Sequence, residues 1–211
     1  MKKKDKVSFI VNTLESLYGE PEIPLKHKDP YTLLIAVLLS AQCTDERVNK
    51  VTPKLFTLAD NPITMSNLPV SKIQEIIRPC GLSQTKSKAI STLSKKLVKY
   101  HDNKVPNSLE KLEAFPGVGH KTASVVLAQA FGISTFPVDT HIHRLSYRWC
   151  ISTGKSVKRT EEDCKKFYPK NLWNKLHLQI IYFGREFCPA RAHNPNKCPI
   201  CKIIGRKSMF K

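Results

Sequence analysis

The sequence predicts an all-α protein made of short helices. Apolar residues recur every three or four positions along most of its 211 residues, which is the spacing of helices with one buried face. No segment alternates apolar and polar residues in the way a half-buried β-strand does. Helix-capping residues and glycines separate the apolar segments, so most helices have a predicted start and end.

Three helices are predicted in the first 60 residues. The apolar positions of the first helix recur at helical spacing until Gly19, and they are Val7, Ile10, Val11, Leu14, Leu17 and Tyr18. Asp29-Pro30 predicts an N-cap followed by proline at the first helical position. The helix it opens, from Tyr31 to about Ala41, is apolar on nearly all sides and is therefore predicted to be buried. Asp45 starts another helix, which Pro53 should kink or divide.

The later elements are also predicted from caps and glycines. Ser71 and Gln74 form a capping-box pattern, and Cys80-Gly81-Leu82-Ser83 reads as a turn before a long basic helix. Ser108 should cap a short helix that leads into a glycine-rich turn. Three helices follow the helix after that turn: one over His141–Cys150 behind Asp139, one opening at Thr160, and one over Leu172–Phe187.

Charge predicts the class of partner. The chain carries 35 Lys and Arg against 17 Asp and Glu, a net charge of +18, which favours a polyanion such as nucleic acid or an anionic membrane. The positive charge is spread along the chain, since residues 84–100 hold lysines without an acid and residues 182–211 are also basic. We therefore expect nucleic acid as the partner.

Membrane and secreted classes are not favoured. The longest apolar run, Leu33–Leu39, is too short to span a bilayer, and the lysines of the first residues are not followed by an apolar signal segment. Seven cysteines in a chain of this size do not indicate a disulfide scaffold. We expect a soluble intracellular protein that works on nucleic acid.

Phe-Pro-Gly-Val-Gly, residues Phe115–Gly119, is the segment with the strongest functional signal. Glycine permits unusual backbone angles and a close approach by another molecule, and the residues after Gly119 are good helix formers. A glycine turn that opens a helix presents backbone N–H groups to an anion, usually phosphate. The spacing excludes the dinucleotide and P-loop fingerprints, and a helix rather than a strand precedes the turn.

Three segments carry a family resemblance. Leu-x-x-x-Pro-Gly-Val-Gly-x-Lys-Thr-Ala, residues Leu112–Ala123, resembles a helix-hairpin-helix motif. Val138-Asp-Thr-His141 and Leu38-Leu-Ser-Ala-Gln-Cys-Thr-Asp45 resemble segments of the endonuclease III family of DNA glycosylase/lyases. The resemblance covers nearly the whole chain, from about Lys6 to Cys201.

The resemblance implies two helical domains with a DNA-binding cleft between them. One domain would be a helical barrel over 22–133 that contains the helix-hairpin-helix at about 108–131. The other would join 1–21 to 134–211 and carry a cysteine loop at 188–201. Sequence patterns alone do not indicate that the first helix joins the last ones.

Lys121 and Asp139 are the predicted catalytic residues. A lysine in the first turn of a helix meets the positive end of the dipole, which favours the neutral amine needed to attack a sugar C1′ as a nucleophile. The alternative is a lysine that contacts phosphate or solvent. The resemblance implies that Asp139 stabilises positive charge on the sugar as the base leaves. The alternative is that Asp139 only caps the helix that follows it.

The predicted DNA-binding residues rest mainly on the resemblance. Gln42 would fill the space left by an extruded base, and Leu82 would act as an apolar wedge on the opposite side. His141 would bind a phosphate or shuttle protons, and a packed histidine is the alternative. The glycine turn would contribute Gly117, Val118, Gly119 and His120.

Cys188-x9-Cys198-x2-Cys201 is a metal-type arrangement. Endonuclease III relatives hold a [4Fe-4S] cluster with four cysteines spaced Cys-x6-Cys-x2-Cys-x5-Cys. This chain has a longer first gap, and Lys207 stands where the fourth cysteine would be. His193 lies inside the longer gap and is the candidate fourth ligand. The resemblance implies an iron–sulfur cluster. Three thiolates with an imidazole also suit zinc. The third alternative is a loop that binds no metal.

The resemblance, together with these residues, implies a base excision repair enzyme. It would remove oxidised pyrimidines from duplex DNA and cleave abasic sites by β-elimination through a lysine Schiff base, acting as a monomer. A monofunctional glycosylase of the same fold and a non-catalytic helix-hairpin-helix DNA-binding protein are the alternatives. Lys121 argues against the first, and the presence of both Lys121 and Asp139 argues against the second.

Overall fold

The computed structural model describes residues 1–210 and contains only helices and connecting segments over that range. The all-α prediction is therefore confirmed. The α-helices are α1 Lys3–Tyr18, α2 Pro30–Leu39, α3 Asp45–Leu58, α4 Pro62–Asn67, α5 Val70–Ile77, α6 Ser83–Tyr100, α7 Leu109–Glu113, α8 His120–Phe131, α9 Thr140–Arg148, α10 Val157–Phe167, α11 Trp173–Glu186 and α12 Cys201–Ile204. Short 3-10 helices occupy Arg78–Cys80, Lys170–Leu172 and Lys207–Phe210. No helix among the described residues is long and apolar enough to cross a membrane.

The chain divides into two units. The central unit is Ile23–Ile133 and holds α2 to α8. The terminal unit joins Met1–Glu22 to Ser134–Lys211 and holds α1 with α9 to α12. Each unit has its own apolar core.

The central unit is built around α2. Every residue from Tyr31 to Leu39 is buried, as the sequence predicts. Asp29 caps this helix by accepting a hydrogen bond from the backbone N–H of Thr32, and the Thr32 hydroxyl oxygen accepts one from the backbone N–H of Asp29, which completes a capping box. Helix α2 packs on α8, and α4 and α5 pack on α6. Burial of each Leu or Ile side chain in this core contributes about 1.5–3 kcal/mol.

Two predictions for the central unit need correction, and one helix was missed. Helix α3 runs through Pro53 without a break, so the proline does not divide it. The Ser71 capping box is wrong, because α5 already begins at Val70 behind Pro69 and has no side-chain cap. Helix α4 was not predicted, although the Asn61 side chain caps it by accepting from the Thr64 N–H at 3.0 Å.

The terminal unit packs α1 against α11 and α9 against α10 and α11. Polar contacts between the first and penultimate helices support the apolar packing. The Lys175 ammonium lies 2.9 Å from the Glu15 carboxylate, and the Gln179 amide donates to the Gly19 carbonyl at 2.8 Å. The Tyr18 hydroxyl donates to Glu186 at 2.9 Å. These contacts attach α1 to a helix formed much later in the chain.

The predicted start of α10 is wrong by three residues. The helix begins at Val157, and the Ser156 hydroxyl caps it by accepting from the Arg159 N–H at 3.1 Å. Thr160 lies inside the helix, fully buried, with its hydroxyl 2.8 Å from His143 Nδ1. Both residues are good N-caps by type, and burial of Thr160 decides between them.

Candidate functional site

The glycine turn before α8 has one packed side and one open side. Gly117 has φ +77°, and a Cβ there would lie 3.0 Å from Ala89 Cβ and 3.2 Å from Leu38 Cδ1. Only glycine fits such a backbone at such a distance without strain. A Cβ at Gly119 would meet no atom within 4 Å, and its φ is −90°. The turn is thus fixed against α2 and α6 at Gly117 and open to solvent at Gly119.

Lys121 is exposed in the first turn of α8, two residues after its N-cap Gly119. The helix is anchored below it by a buried stretch from Ala123 to Ala128. The His120 ring nitrogen Nδ1 lies 2.7 Å from the Glu113 carboxylate of α7. The helix N-terminus attracts anions, and it carries Lys121 on a rigid support in the central unit.

Asp139 belongs to the terminal unit and caps α9. Its Oδ1 accepts a hydrogen bond from the Ile142 N–H at 2.8 Å, so the predicted helix-cap role is confirmed. The side chain is half-buried.

His141 is half-buried and lies against Arg144 and Gly184. Its Nδ1 lies 3.1 Å from Arg144 Nη2, and a Cβ at Gly184 would come within 2.9 Å of the same nitrogen. Burial lowers the pKa of His141, while the neighbouring Asp139 carboxylate raises it. The contact with Arg144 and the lowered pKa favour a neutral ring over a phosphate-binding imidazolium.

Gln42 and Leu82 share two unusual features. Both are exposed, Leu82 to 55%, and both adopt left-handed backbone angles, with φ 55° at Gln42 and φ 47° at Leu82. Gln42 follows the end of α2, and Leu82 is the N-cap of α6. Residues other than glycine are uncommon in this region, and such strained positions concentrate at functional sites.

Sequence reasoning missed Lys86. It was one of several lysines in the predicted basic helix, but it is buried, and its ammonium donates to three backbone carbonyls. A signal was available: Lys86 lies three and four residues before Ala89 and Ile90, on the apolar face of α6.

The cysteine cluster brings Cys188, His193, Cys198 and Cys201 together in the terminal unit. Their ligand atoms all lie within 4.8 Å of one another. Cys188 Sγ is 3.6 Å from His193 Nε2 and 3.7 Å from Cys201 Sγ. Hydrogen bonds from the Cys188 and Cys201 thiols hold the pKa of Cys198 well below its usual value. This is a set of four donors compatible with a bound metal.

The donor spacing can be compared with the two kinds of metal group. Zinc with bonds of about 2.3 Å to sulfur and about 2.0–2.1 Å to nitrogen has tetrahedral edges of about 3.8 Å for S···S and about 3.6 Å for S···N. Two of the six donor pairs, Cys188 Sγ with Cys201 Sγ at 3.7 Å and with His193 Nε2 at 3.6 Å, are close to these edges, and all four donors lie within 4.8 Å of one another. In a [4Fe-4S] cube each ligand binds a different iron, so the donors would have to separate to hold it.

Two arginines of α9 attach that helix to the cysteine loop. Arg148 Nη1 donates to the Pro189 carbonyl at 2.7 Å and to Cys188 Sγ at 3.1 Å. Arg144 Nη2 donates to the Cys188 carbonyl at 3.0 Å and to the Gly184 carbonyl at 3.1 Å. Neither contact was predicted, because both join residues that are distant in sequence.

Comparison with known proteins agrees with this fold. A family model described as "HhH-GPD superfamily base excision DNA repair protein" matches residues 35–170. Endonuclease III of Bacillus subtilis is 36% identical over 198 residues, which cover 93% of this chain and 90% of that protein.

Two solved structures match the fold over both full chains. One is a non-covalent endonuclease III–DNA complex, with a TM-score of 0.93 and 35% identity. The other is a trapped endonuclease III–DNA covalent intermediate, with a TM-score of 0.93 and 34% identity. Both alignments cover 100% of this chain and 100% of the other. The chain therefore belongs to the HhH-GPD superfamily of base excision DNA repair proteins and, within it, to the endonuclease III family.

Proposed function

We propose that this DNA glycosylase removes oxidised pyrimidines from duplex DNA and then cleaves the strand at the abasic site. The Lys121 amine attacks C1′ of the damaged nucleotide, a C1′–N bond to the enzyme forms, and the bond to the base breaks. The sugar ring opens to an imine, the C2′ proton is removed, and the 3′ phosphate leaves in a β-elimination. Hydrolysis of the imine then frees the lysine.

Asp139 is the proposed electrostatic partner of this reaction. A carboxylate near C1′ stabilises the positive charge that develops on the sugar while the glycosidic bond breaks. Its function as the cap of α9 is compatible with this role, because the cap fixes where the carboxylate lies.

The central unit supplies the proposed DNA contacts. Backbone N–H groups of the turn at Gly117–His120, other than that of Val118, which donates to the Phe115 carbonyl, would bind a phosphate of the DNA backbone. Gln42 and Leu82 would enter the duplex and hold the stack open while the damaged base is extruded. The net charge of +18 supplies sequence-independent attraction to DNA. We propose that the protein acts as a monomer, inside the cell and at the DNA.

One observation carries the lyase proposal. Lys121 places an amine on the first turn of α8, directly after the glycine turn. A chain 34% identical over its full length has been solved as a trapped covalent intermediate with DNA, which supports a protein nucleophile. A monofunctional glycosylase would activate water and would need no amine at this position.

Borohydride trapping on abasic duplex DNA tests the nucleophile. We expect Lys121→Gln to abolish the trapped adduct and strand cleavage while DNA binding stays within about tenfold, because many other basic groups and backbone amides bind phosphate. Lys111→Gln, which removes an exposed lysine from α7, is the matched control and should trap at the wild-type rate. A Lys121→Gln variant that traps like the wild type would refute the assignment.

We also propose that the cysteine cluster binds a metal whose role is structural. The family resemblance favours a [4Fe-4S] cluster, and the donor spacing with its imidazole favours a single zinc ion. In either case the metal would fix the basic loop between Cys188 and Cys201, and the chemistry at C1′ would stay with Lys121.

A further inference from the structure

Lys86 is a buried lysine with an unusual set of partners. Its residue is 5% exposed. The ammonium nitrogen donates to the carbonyl oxygens of Leu39 at 2.9 Å, Ala41 at 2.8 Å and Cys80 at 3.0 Å. An ammonium has three N–H donors, so these three contacts use them all.

The three carbonyls come from two separate segments of the central unit. Leu39 is the last residue of α2, and Ala41 directly precedes Gln42. Cys80 ends a 3-10 helix two residues before Leu82. A single cation therefore joins the two turns that carry Gln42 and Leu82. The carbonyls at a helix end are also where a positive charge is most favourable.

Both turns need such support. The left-handed backbone of Gln42 and of Leu82 costs free energy, and it persists only where the surrounding structure fixes it. Their side chains are exposed, so burial of apolar surface does not compensate for the strain at these two positions.

Burying the charged side chain of Lys86 costs free energy. Burial lowers the pKa of Lys86, which means that the surroundings disfavour the charged form. A methionine of similar length would fill the same space without a charge to desolvate. What methionine cannot do is donate hydrogen bonds to carbonyls of two different turns.

We propose that Lys86 is a positioning residue that holds Gln42 and Leu82 in the conformation in which they enter duplex DNA. Turns that are already ordered lose less freedom on binding, so more of the binding free energy is available to extrude the base. The inference rests on the proposed function, because it assigns Gln42 and Leu82 to base extrusion. It predicts a defect in extrusion and none in the reactivity of Lys121.

The test compares Lys86→Met with Lys88→Met, which removes an exposed lysine from the same helix. Two duplexes carry thymine glycol, one opposite adenine and one opposite a mismatched guanine, where extrusion costs less. A 2-aminopurine beside the lesion reports unstacking, and single-turnover base removal is measured with enzyme in excess. We expect Lys86→Met to lose about tenfold or more on the paired duplex and threefold or less on the mismatched one. Lys88→Met should match the wild type on both.

A second background separates positioning from general stability. In a Gln42→Ala/Leu82→Ala protein the two turns no longer carry the side chains proposed to enter the duplex. Adding Lys86→Met should therefore change the single-turnover rate by less than about twofold. Equal losses of Lys86→Met on the paired and mismatched duplexes, or a fully additive loss in this background, would overturn the inference. Should Lys86→Met fail to fold, Lys86→Gln keeps two N–H donors without the charge, and the same two comparisons apply to it.

The controls distinguish failure of this inference from failure of the proposed function. A wild-type protein that neither unstacks the 2-aminopurine nor removes the lesion overturns both. A wild type that does both, with Lys86→Met indistinguishable from it on the paired duplex, overturns only the positioning role.

Discussion

Substitution by alanine should affect the two glycines of the turn before α8 differently. At Gly117 it should lower stability, and at Gly119 it should lower DNA affinity. Gly117→Ala places a methyl group 3.0 Å from Ala89 Cβ and 3.2 Å from Leu38 Cδ1, on a backbone with φ +77°. The left-handed backbone costs a residue with a Cβ about 1–2 kcal/mol. Overpacking against α2 and α6 adds about 1–3 kcal/mol. The expected loss of unfolding free energy is therefore about 2–5 kcal/mol.

Gly119→Ala is the matched control, because its Cβ would meet no atom within 4 Å and its φ is −90°. We expect its stability to change by less than about 1 kcal/mol, the cost of alanine at an N-cap. Its DNA affinity should fall instead, since the methyl group stands beside the proposed phosphate site. Urea unfolding and thermal melting measure the first effect, and a loss of about 3 kcal/mol lowers Tm by roughly 6–12 °C in a chain of this size. A Gly117→Ala variant as stable as the wild type, or a Gly119→Ala variant equally destabilised, would refute the packing argument.

Two further predictions concern the terminal unit. Asp139→Asn should leave stability within about 0.5 kcal/mol, because asparagine caps a helix as well as aspartate does. It should nevertheless slow base removal by a factor on the order of 10² in single-turnover assays, with a smaller effect on a pre-formed abasic site. Equal, small losses on both substrates would leave Asp139 as a helix cap alone. A single zinc ion in the cysteine cluster would give about one zinc and no inorganic sulfide per chain in anaerobically purified protein. About four iron and four sulfide per chain would instead support the cluster that the resemblance implies. Cys198→Ser should lose the metal and stability, Cys150→Ser should keep both, and a metal-free wild type would contradict both assignments.

The elements that the sequence predicted well are those whose ends are set by neighbouring residues. Asp29 and Pro30 start α2 through contacts within one helical turn, and the apolar run that follows ends where the helix does. The N-cap of α9 at Asp139 is equally local. Where two local signals compete, the pattern cannot choose between them. Ser156 and Thr160 are both of a residue type that favours the N-cap position. Ser156 caps the helix, whereas Thr160 is buried inside it and contacts His143.

The features of the candidate site also fall into those that local sequence predicts and those that it does not. The glycine turn, the exposed Lys121 and the cysteines with His193 were visible because their spacing along the chain carries the signal. The bridge from Lys86 to Leu39 spans 47 residues, and the contact of Arg148 with Cys188 spans 40. Interactions of that separation follow from the packing of whole helices, and no pattern within a single segment encodes them.

The attachment of α1 to α11 has a consequence for the order in which the chain folds during synthesis. Lys175 and Glu15 are 160 residues apart, and so are Gln179 and Gly19. Helix α1 is synthesised long before α11, the helix it packs on. The central unit is continuous in sequence and can complete its core in the meantime, since domains generally fold as units from the N-terminus. A nascent chain whose residues up to 133 have left the ribosome would therefore hold a folded central unit and a helix α1 whose Ile10 and Leu14 are still exposed to water.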